Sequence, residues 1–297
     1  MGITHFDKVS AINGFYQGPK GYETTFGSDG LYTAFYVDGN AGKDTNDGTS
    51  WATAVKTIAA GIALADNDIA KTNHWDRRNR LYVNGGAYKE SLTRFPEKTD
   101  IIGCGCTDFL AKAKLIGVQV PATAVMGCRW INMAFQNVTA AVTVDLAASN
   151  HGAAFIGCDF LGNGTTTKAL EINDCVDVVV TGCRFQGTTY NVKQLIGIQV
   201  SGVATNNNLY IADNYFNCAV GIIIDDTDVV DGLIARNYLD VTTLAIDDNS
   251  DRCLVVDNMW VSAANMAGSC DLAITRCAGN IATGSDGTRT FPFATIA

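Results

Sequence analysis

Two stretches decide the reading: AAFIGCDF at 153–160 and VVVTGCRF at 178–185. They share one frame, in which an apolar residue, two further residues, a cysteine, a charge and a phenylalanine follow in order. The frame recurs in both directions along the chain. Upstream stand IIGC ending at Cys104 and AVMGCRW around Cys128. Downstream come LYIADNYF around Asn214, LIARNYL around Asn237, LVVDNMW around Asn258 and LAITRC ending at Cys277. Successive slots lie 19 to 31 residues apart. Registered copies at such a period mark a stack of small supersecondary units.

Three positions before the slot the chain places Val125, Phe155, Val180, Ile211, Ile234, Val255 and Ile274. Two positions after it come Trp130, Phe160, Phe185, Phe216, Leu239 and Trp260. Odd spacing before and even spacing after break strict alternation at the slot. A strand therefore runs in, bends with the slot residue turned inward, and a second strand leaves. A third alternating piece recurs as AVTVD, ALEIND, IGIQVS, GIIIDD and LAIDDN. Three short strands per coil, stacked in parallel at about 4.8 Å per rung, predict about nine coils and a rod on the order of 40 Å long.

This organisation resembles the right-handed parallel β-helix of the pectin-lyase-like superfamily over about residues 35–285. In that family an inward asparagine ladder fills the corner after the second strand. Asn214, Asn237 and Asn258 match it, whereas Cys104, Cys128, Cys158, Cys183 and Cys277 place thiols there instead. YVDGNAGKDTNDGTSWATAVKTIAAGIALA at 36–65 is similar to the common opening of such proteins, where a strand and a Gly/Asp turn lead to a helix over the first coil. The residues support that helix, with Thr49 or Ser50 as N-cap and Trp51, Val55, Ile58 and Ile62 at helical spacing. Such a lid blocks an open sheet edge. The expected fold class is all-β, a single-stranded right-handed parallel β-helix. It is divided into an attachment arm (1–33), a leading strand and capping helix (34–80), the β-helix (81–287) and an end cap (288–297). Phe291 and Phe293 of the end cap either plug the last coil or reach into a neighbouring subunit.

Composition agrees with many short strands joined by turns: the chain has 30 glycines and 4 prolines among 297 residues. A net charge of −9, a pI near 4.7 and scattered Lys and Arg argue against nucleic-acid binding through a basic surface. No apolar run is long enough to insert in a membrane. The start, MGITHFDKVS, lacks the order of a signal peptide, so the ten cysteines are expected as reduced thiols made in a host cytoplasm. In-register rungs hold β-carbons about 4.8 Å apart, farther than the roughly 3.8 Å of a disulfide. The CGC at 104–106 has no neighbouring histidine, and His5, His74 and His151 share no frame. No metal and no cofactor is expected, and the cysteine slot reads as structural.

Because many β-helices of the resembled family cleave polysaccharides, carboxylate pairs need weighing. Glycoside hydrolysis needs two carboxyls about 5–5.5 Å apart for retention. Aligning the third strands stacks Asp225 on Asp247 and Asp226 on Asp248, with Asp145 and Asp174 as near-equivalents. Strand-end turn residues are the simpler explanation of these carboxylates. Charges beside the corner (Arg129, Asp159, Arg184; Asp213, Arg236, Asp257) alternate in sign and read as register locks.

Four positions before the slot, where side chains should meet solvent, stand Ala124, Ala154, Val179, Tyr210, Leu233, Leu254 and Ala273. A stripe this apolar predicts protein contact, with Val179, Tyr210, Leu233 and Leu254 at the interface of a homotrimer. The first 33 residues carry Phe6, Phe15, Tyr16, Tyr22 and Phe26, too little for a core and too aromatic for a plain linker. An attachment piece ahead of a trimeric rod resembles bacteriophage virion proteins such as tailspikes and capsid decorations. That resemblance implies a non-enzymatic virion protein on the capsid surface, docked on the major capsid protein or another virion protein. The alternatives are a tailspike-like hydrolase or lyase using Asp225 and Asp247, and a glycan-binding module in which Tyr215 and Tyr238 stack on sugars of a host surface.

Overall fold

The computed structural model describes residues 32–72, 78–105, 112–122, 126–137, 139, 141–146, 150–164, 167–188, 193–202, 206–225, 231–250, 253–261, 276–283 and 289–290. Phe6, Phe15, Tyr16, Tyr22, Phe26, Cys106, Asp226, Phe291 and Phe293 lie outside the described residues.

The chain is a parallel β-solenoid. Sheet A stacks ten strands, from Ala34–Val37 and Asn79–Val83 through Ala154–Ile156, Val179–Thr181 and Tyr210–Ala212 to Arg276–Ala278. Sheet B begins at Gly86–Lys89 and runs through Asp159–Gly162, Arg184–Gly187, Tyr215–Ile224 and Tyr238–Asp248 to Ile281–Thr283. Sheet C is developed at six successive levels: a bridge at Gln119, then Val144–Leu146, Lys168–Asn173 and Gln194–Ser201, then the second halves of Tyr215–Ile224 and Tyr238–Asp248. In those last two levels sheets B and C share one continuous strand. Every pairing in sheet A is parallel, and nine steps of about 4.8 Å give a rod of about 43 Å.

Why are the middle strands of sheet A only three residues long? Each is clamped between two residues in the left-handed region, five positions apart. The clamps are Gly127 and Asn132, Gly152 and Gly157, Asp177 and Gly182, Asn208 and Asp213, and Asp231 and Arg236, all with φ between 53° and 70°. Glycine, asparagine and aspartate tolerate this conformation, and arginine does not do so readily. Arg236 is held there by a bidentate pair with Asp213 (both bonds 2.8 Å) and by the Tyr210 hydroxyl at 3.0 Å.

The interior is a set of columns. Phe35, Leu81, Ile101, Trp130, Phe155, Val180, Ile211, Ile234 and Val255 line sheet A from within. Phe135, Phe160, Phe185 and Phe216 stack along sheet B with centroids 5.2, 4.7 and 4.6 Å apart. Each such contact adds about 0.5–1.5 kcal/mol beyond the area it buries.

The corner between sheets A and B carries the slot column: Met133, Cys158, Cys183, Asn214, Asn237, Asn258 and Asn280. Cys104 is level with it but exposed. Two expected members stand elsewhere. Cys128 precedes a sheet A strand, in the column of Ala153, Val178 and Leu209, and Trp130 consequently stands beside Phe155 in the inner column of sheet A. Cys277 pairs with Val255 in mid-strand, and Asn280 takes the slot. Arg129 likewise lies on sheet A, level with Asp100, and is not part of the Asp159–Arg184 ladder.

Helix α1 (Ile58–Thr72) begins later than the sequence predicts. Ser50 caps only a short 3-10 turn at Trp51–Thr53, and Val55 pairs with Val37. The first amides of α1 are bound by Glu90 of the next rung, Ile58 and Ala59 donating at 2.9 Å each. Ile58, Ile62 and Ala65 face the core, and Gly61 allows close approach, since a Cβ there would sit 2.7 Å from Leu81. At the other end Arg289–Thr290 pairs antiparallel with Ile281–Thr283.

Candidate functional site

Asp225 and Asp247 are not rung neighbours. A bulge between Cys218 and Val220 shifts the register, so Asp247 pairs with Ile223 and Asp248 with Ile224. Asp225 stands level with Asn249 instead. Asp248 turns inward, is fully buried, and accepts from the Ser250 amide and hydroxyl.

The carboxylates that do stack on sheet C are Asp145 and Glu171. Glu171 accepts from Lys168 Nζ at 2.6 Å and from Ser201 Oγ at 3.0 Å. Asp145 is half-buried, and desolvation, helped by the Glu171 charge and opposed by Lys168, raises its pKa. A carboxyl biased towards its protonated form with a second carboxyl on the next rung is an arrangement that acid-assisted hydrolysis can use. The sequence contains the pair, but ALEIND aligns on Asp174, a turn residue with φ 54°, when the strand register is not known.

On the outer side of sheet B, Tyr215 and Tyr238 stack at 5.6 Å with rings 9° apart, so each shields one face of the other. A sugar ring is left only the outer faces of the pair. Asp159 on the same column is fully buried between Lys112 Nζ (3.1 Å) and Arg184 Nε (2.6 Å), and Lys112 also donates to Gly157 O. That cluster fastens the corner. A groove of about 500 Å³ lies between α1 and residues 91–94, bordered by Ile62, Asp66, Leu92 and Arg94. None of the sequence-predicted site residues borders it.

The outside of sheet A presents two ordered columns of side chains. One column reads Tyr36, Tyr82, Ile102, Ile131 and Ile156, then Thr181, Ala212, Ala235, Val256 and Ala278. No member of these ten carries a charge, and Trp51, 45% exposed, packs edge-on against Tyr36. The column beside it reads Ala34, Arg80, Asp100, Arg129 and Ala154, then Val179, Tyr210, Leu233 and Leu254, ending at Arg276. The four residues expected at an interface are thus rung neighbours, and Leu254 is 38% exposed. Sequence reasoning missed the first column's upper members because Cys128 set the frame there at the wrong corner.

The chain is similar to the pectate lyase Pel9A, with a TM-score of 0.49 and 11% identity over 87% of this chain and 79% of that one. It is also similar to PfbA, a surface adhesin of Streptococcus pneumoniae, with a TM-score of 0.40 and 10% identity over 71% of this chain and 64% of the adhesin. No protein-family model matches the sequence, and no curated protein sequence matches it. Among the described residues no group of three or more His, Cys, Asp or Glu converges as metal ligands would. No helix among them is long and apolar enough to cross a membrane.

Proposed function

We propose that the chain is a non-enzymatic structural protein of a bacteriophage virion, a homotrimer on the capsid surface that docks through residues 1–33. The observation that supports this reading is the uncharged column outside sheet A, half-buried at eight of its ten positions and closed at Ala212 and Ala235, with the exposed Leu254 in the column beside it. Light scattering on the full chain tests the oligomer, and a mass near three chains is expected. Immunogold labelling or mass spectrometry of purified particles tests the location. A chain recovered only in the soluble fraction, away from particles, counts against the virion assignment.

A second reading rests on Asp145 and Glu171. A polysaccharide hydrolase using this pair would release reducing ends from pectic or capsular glycans. Asp145→Asn and Glu171→Gln would each lower that activity by two orders of magnitude or more, on the scale typical of general acid catalysis, roughly 10²–10⁴-fold. Absence of reducing ends across such a panel removes this reading.

A further inference from the structure

The two outer columns of sheet A change character at the same level. In the first five rungs the bulky apolar residues stand in the column of Tyr82, Ile102 and Ile131, and the neighbouring column holds Arg80, Asp100 and Arg129. From Val179 onward the small residues, such as Ala212 and Ala235, occupy the first column. The bulky ones, Tyr210, Leu233 and Leu254, have moved to the second. The apolar band therefore crosses the face obliquely. A two-residue displacement of about 6.6 Å over four to five rungs inclines it to the rod axis by an angle on the order of 15°.

We propose that this oblique band is the surface on which copies of the chain associate, with their rods parallel, in register and wound about one another. Winding follows from the inclination. A contact stripe that drifts across each rod can face its copies along the whole length only if the rods cross, as in helices with a drifting seam. Parallel orientation follows from charge. An antiparallel pairing through the same face would set Leu254, Leu233 and Tyr210 of one copy against Arg80, Asp100 and Arg129 of the other. In the parallel arrangement those charges fall on the rim, where Asp100 is already bound by Arg78 Nε at 2.6 Å and Arg80 lies over the Tyr32 ring at 4.2 Å.

The area is sufficient. A face about 45 Å long and some 11 Å wide offers on the order of 500 Å² per copy, so two facing copies bury about 1,000 Å². That reaches the size a specific interface needs. The period of the band also fits another rod of the same 4.8 Å pitch better than an irregular surface.

This inference deepens the homotrimer reading and depends on it only for self-association, so the two fail differently. The test uses the full chain with the exposed Cys104 replaced (Cys104→Ser) and one new thiol, Ile131→Cys or Leu254→Cys. Under mild oxidation each variant is expected to form a same-site disulfide between copies. In an antiparallel pair Leu254 would lie many rungs from its own copy, so Leu254→Cys would link only when mixed with an Arg80→Cys chain. That pattern, or a single-chain mass for the unmodified protein, overturns the proposal. Ile131→Glu with Leu254→Glu is expected to give a single-chain mass with its β-sheet circular dichroism retained. If that variant fails to fold, the disulfide pattern still decides. Same-site linkage in a protein absent from particles leaves the association standing and removes the virion assignment.

Discussion

The slot column is built from thiols in its middle and from amides towards its C-terminal end, and the two parts serve the same backbone groups unequally. Cys158 and Cys183 donate to the carbonyls of Trp130 and Phe155, each at 3.3 Å. Asn214, Asn237, Asn258 and Asn280 donate to the equivalent carbonyls of Val180, Ile211, Ile234 and Val255, each at 2.9 Å. The donor role is therefore common to both. The acceptor role is not. Each amide Oδ1 also receives the backbone N–H of the slot before it, from Cys183 onto Asn214 through to Asn258 onto Asn280. It receives the preceding side-chain amide as well, in an unbroken chain from Asn214 to Asn280. A thiol sulfur is only a weak acceptor. The comparison teaches that inward size, not full hydrogen bonding, is the minimum this corner demands.

The sharpest way to break the amide part is Asn237→Ala. It orphans the Asn214 amide and side-chain donors inside a dry corner, each costing about 1–3 kcal/mol. A loss of about 3–5 kcal/mol in urea unfolding is expected, and a loss below about 1 kcal/mol would show that the chain of amides carries no such weight. The thiols respond to pH instead. Burial, with Cys158 adding to it, pushes Cys183 well above the ordinary thiol range, and outside the slot column burial moves Cys175, after the strand Lys168–Asn173, to about 11 and Cys253, before the strand Leu254–Val256, to about 12. Raised folded-state values mean that stability is intact below the unfolded thiol pKa of about 8.5 and is lost as pH rises beyond it. Unfolding free energy should therefore fall by about 2 kcal/mol for each such thiol between pH 8.5 and 10.5, and Cys175→Ala should lessen that fall by about the same amount.

Asn237→Cys converts an amide rung to a thiol rung. It keeps a donor for the Ile211 carbonyl and loses the acceptor for Asn214, so it should cost about 1–3 kcal/mol, less than the alanine variant. The smallest effect runs the other way. Cys183→Asn adds an acceptor facing Cys158 and a donor facing Asn214, and a gain of about 0.5–1 kcal/mol in the same unfolding assay is expected. A loss would mean that the corner at this level is too narrow for an amide.

The stacked architecture was legible because Cys158, Cys183, Asn214, Asn237 and Asn258 each follow a left-handed residue and precede a sheet B strand. What misled the reading at Cys128 is that the other corner obeys the same local rule: Gly127, with φ 70°, precedes an inward residue there too. At Cys277 the sulfur drew attention from Gly279 and Asn280, which carry the turn and the amide. The third strands are legible in the sequence, but their register is not. The pairing of Tyr215 with Tyr238 already sets Asp225 one residue past Asp247, and a one-residue bulge at Thr242 and Thr243, invisible in the local pattern, moves it one further, level with Asn249. Glu171 was hidden for the same reason. A carboxylate partner on the next rung is a property of pairing, and pairing is set by turns that the local pattern does not specify.

The five-residue spacing of the sheet A clamps has a consequence for variation. A residue added between two clamps would turn an inward side chain outward and break a column, so this side of the rod cannot change length. The connection from sheet B to sheet C has no such constraint, closing directly in Tyr215–Ile224 and by an intervening stretch between Asp159–Gly162 and Lys168–Asn173. Foreign peptides grafted there would be displayed on one flank at a regular pitch, which makes the rod a ready frame for presenting epitopes in fixed order.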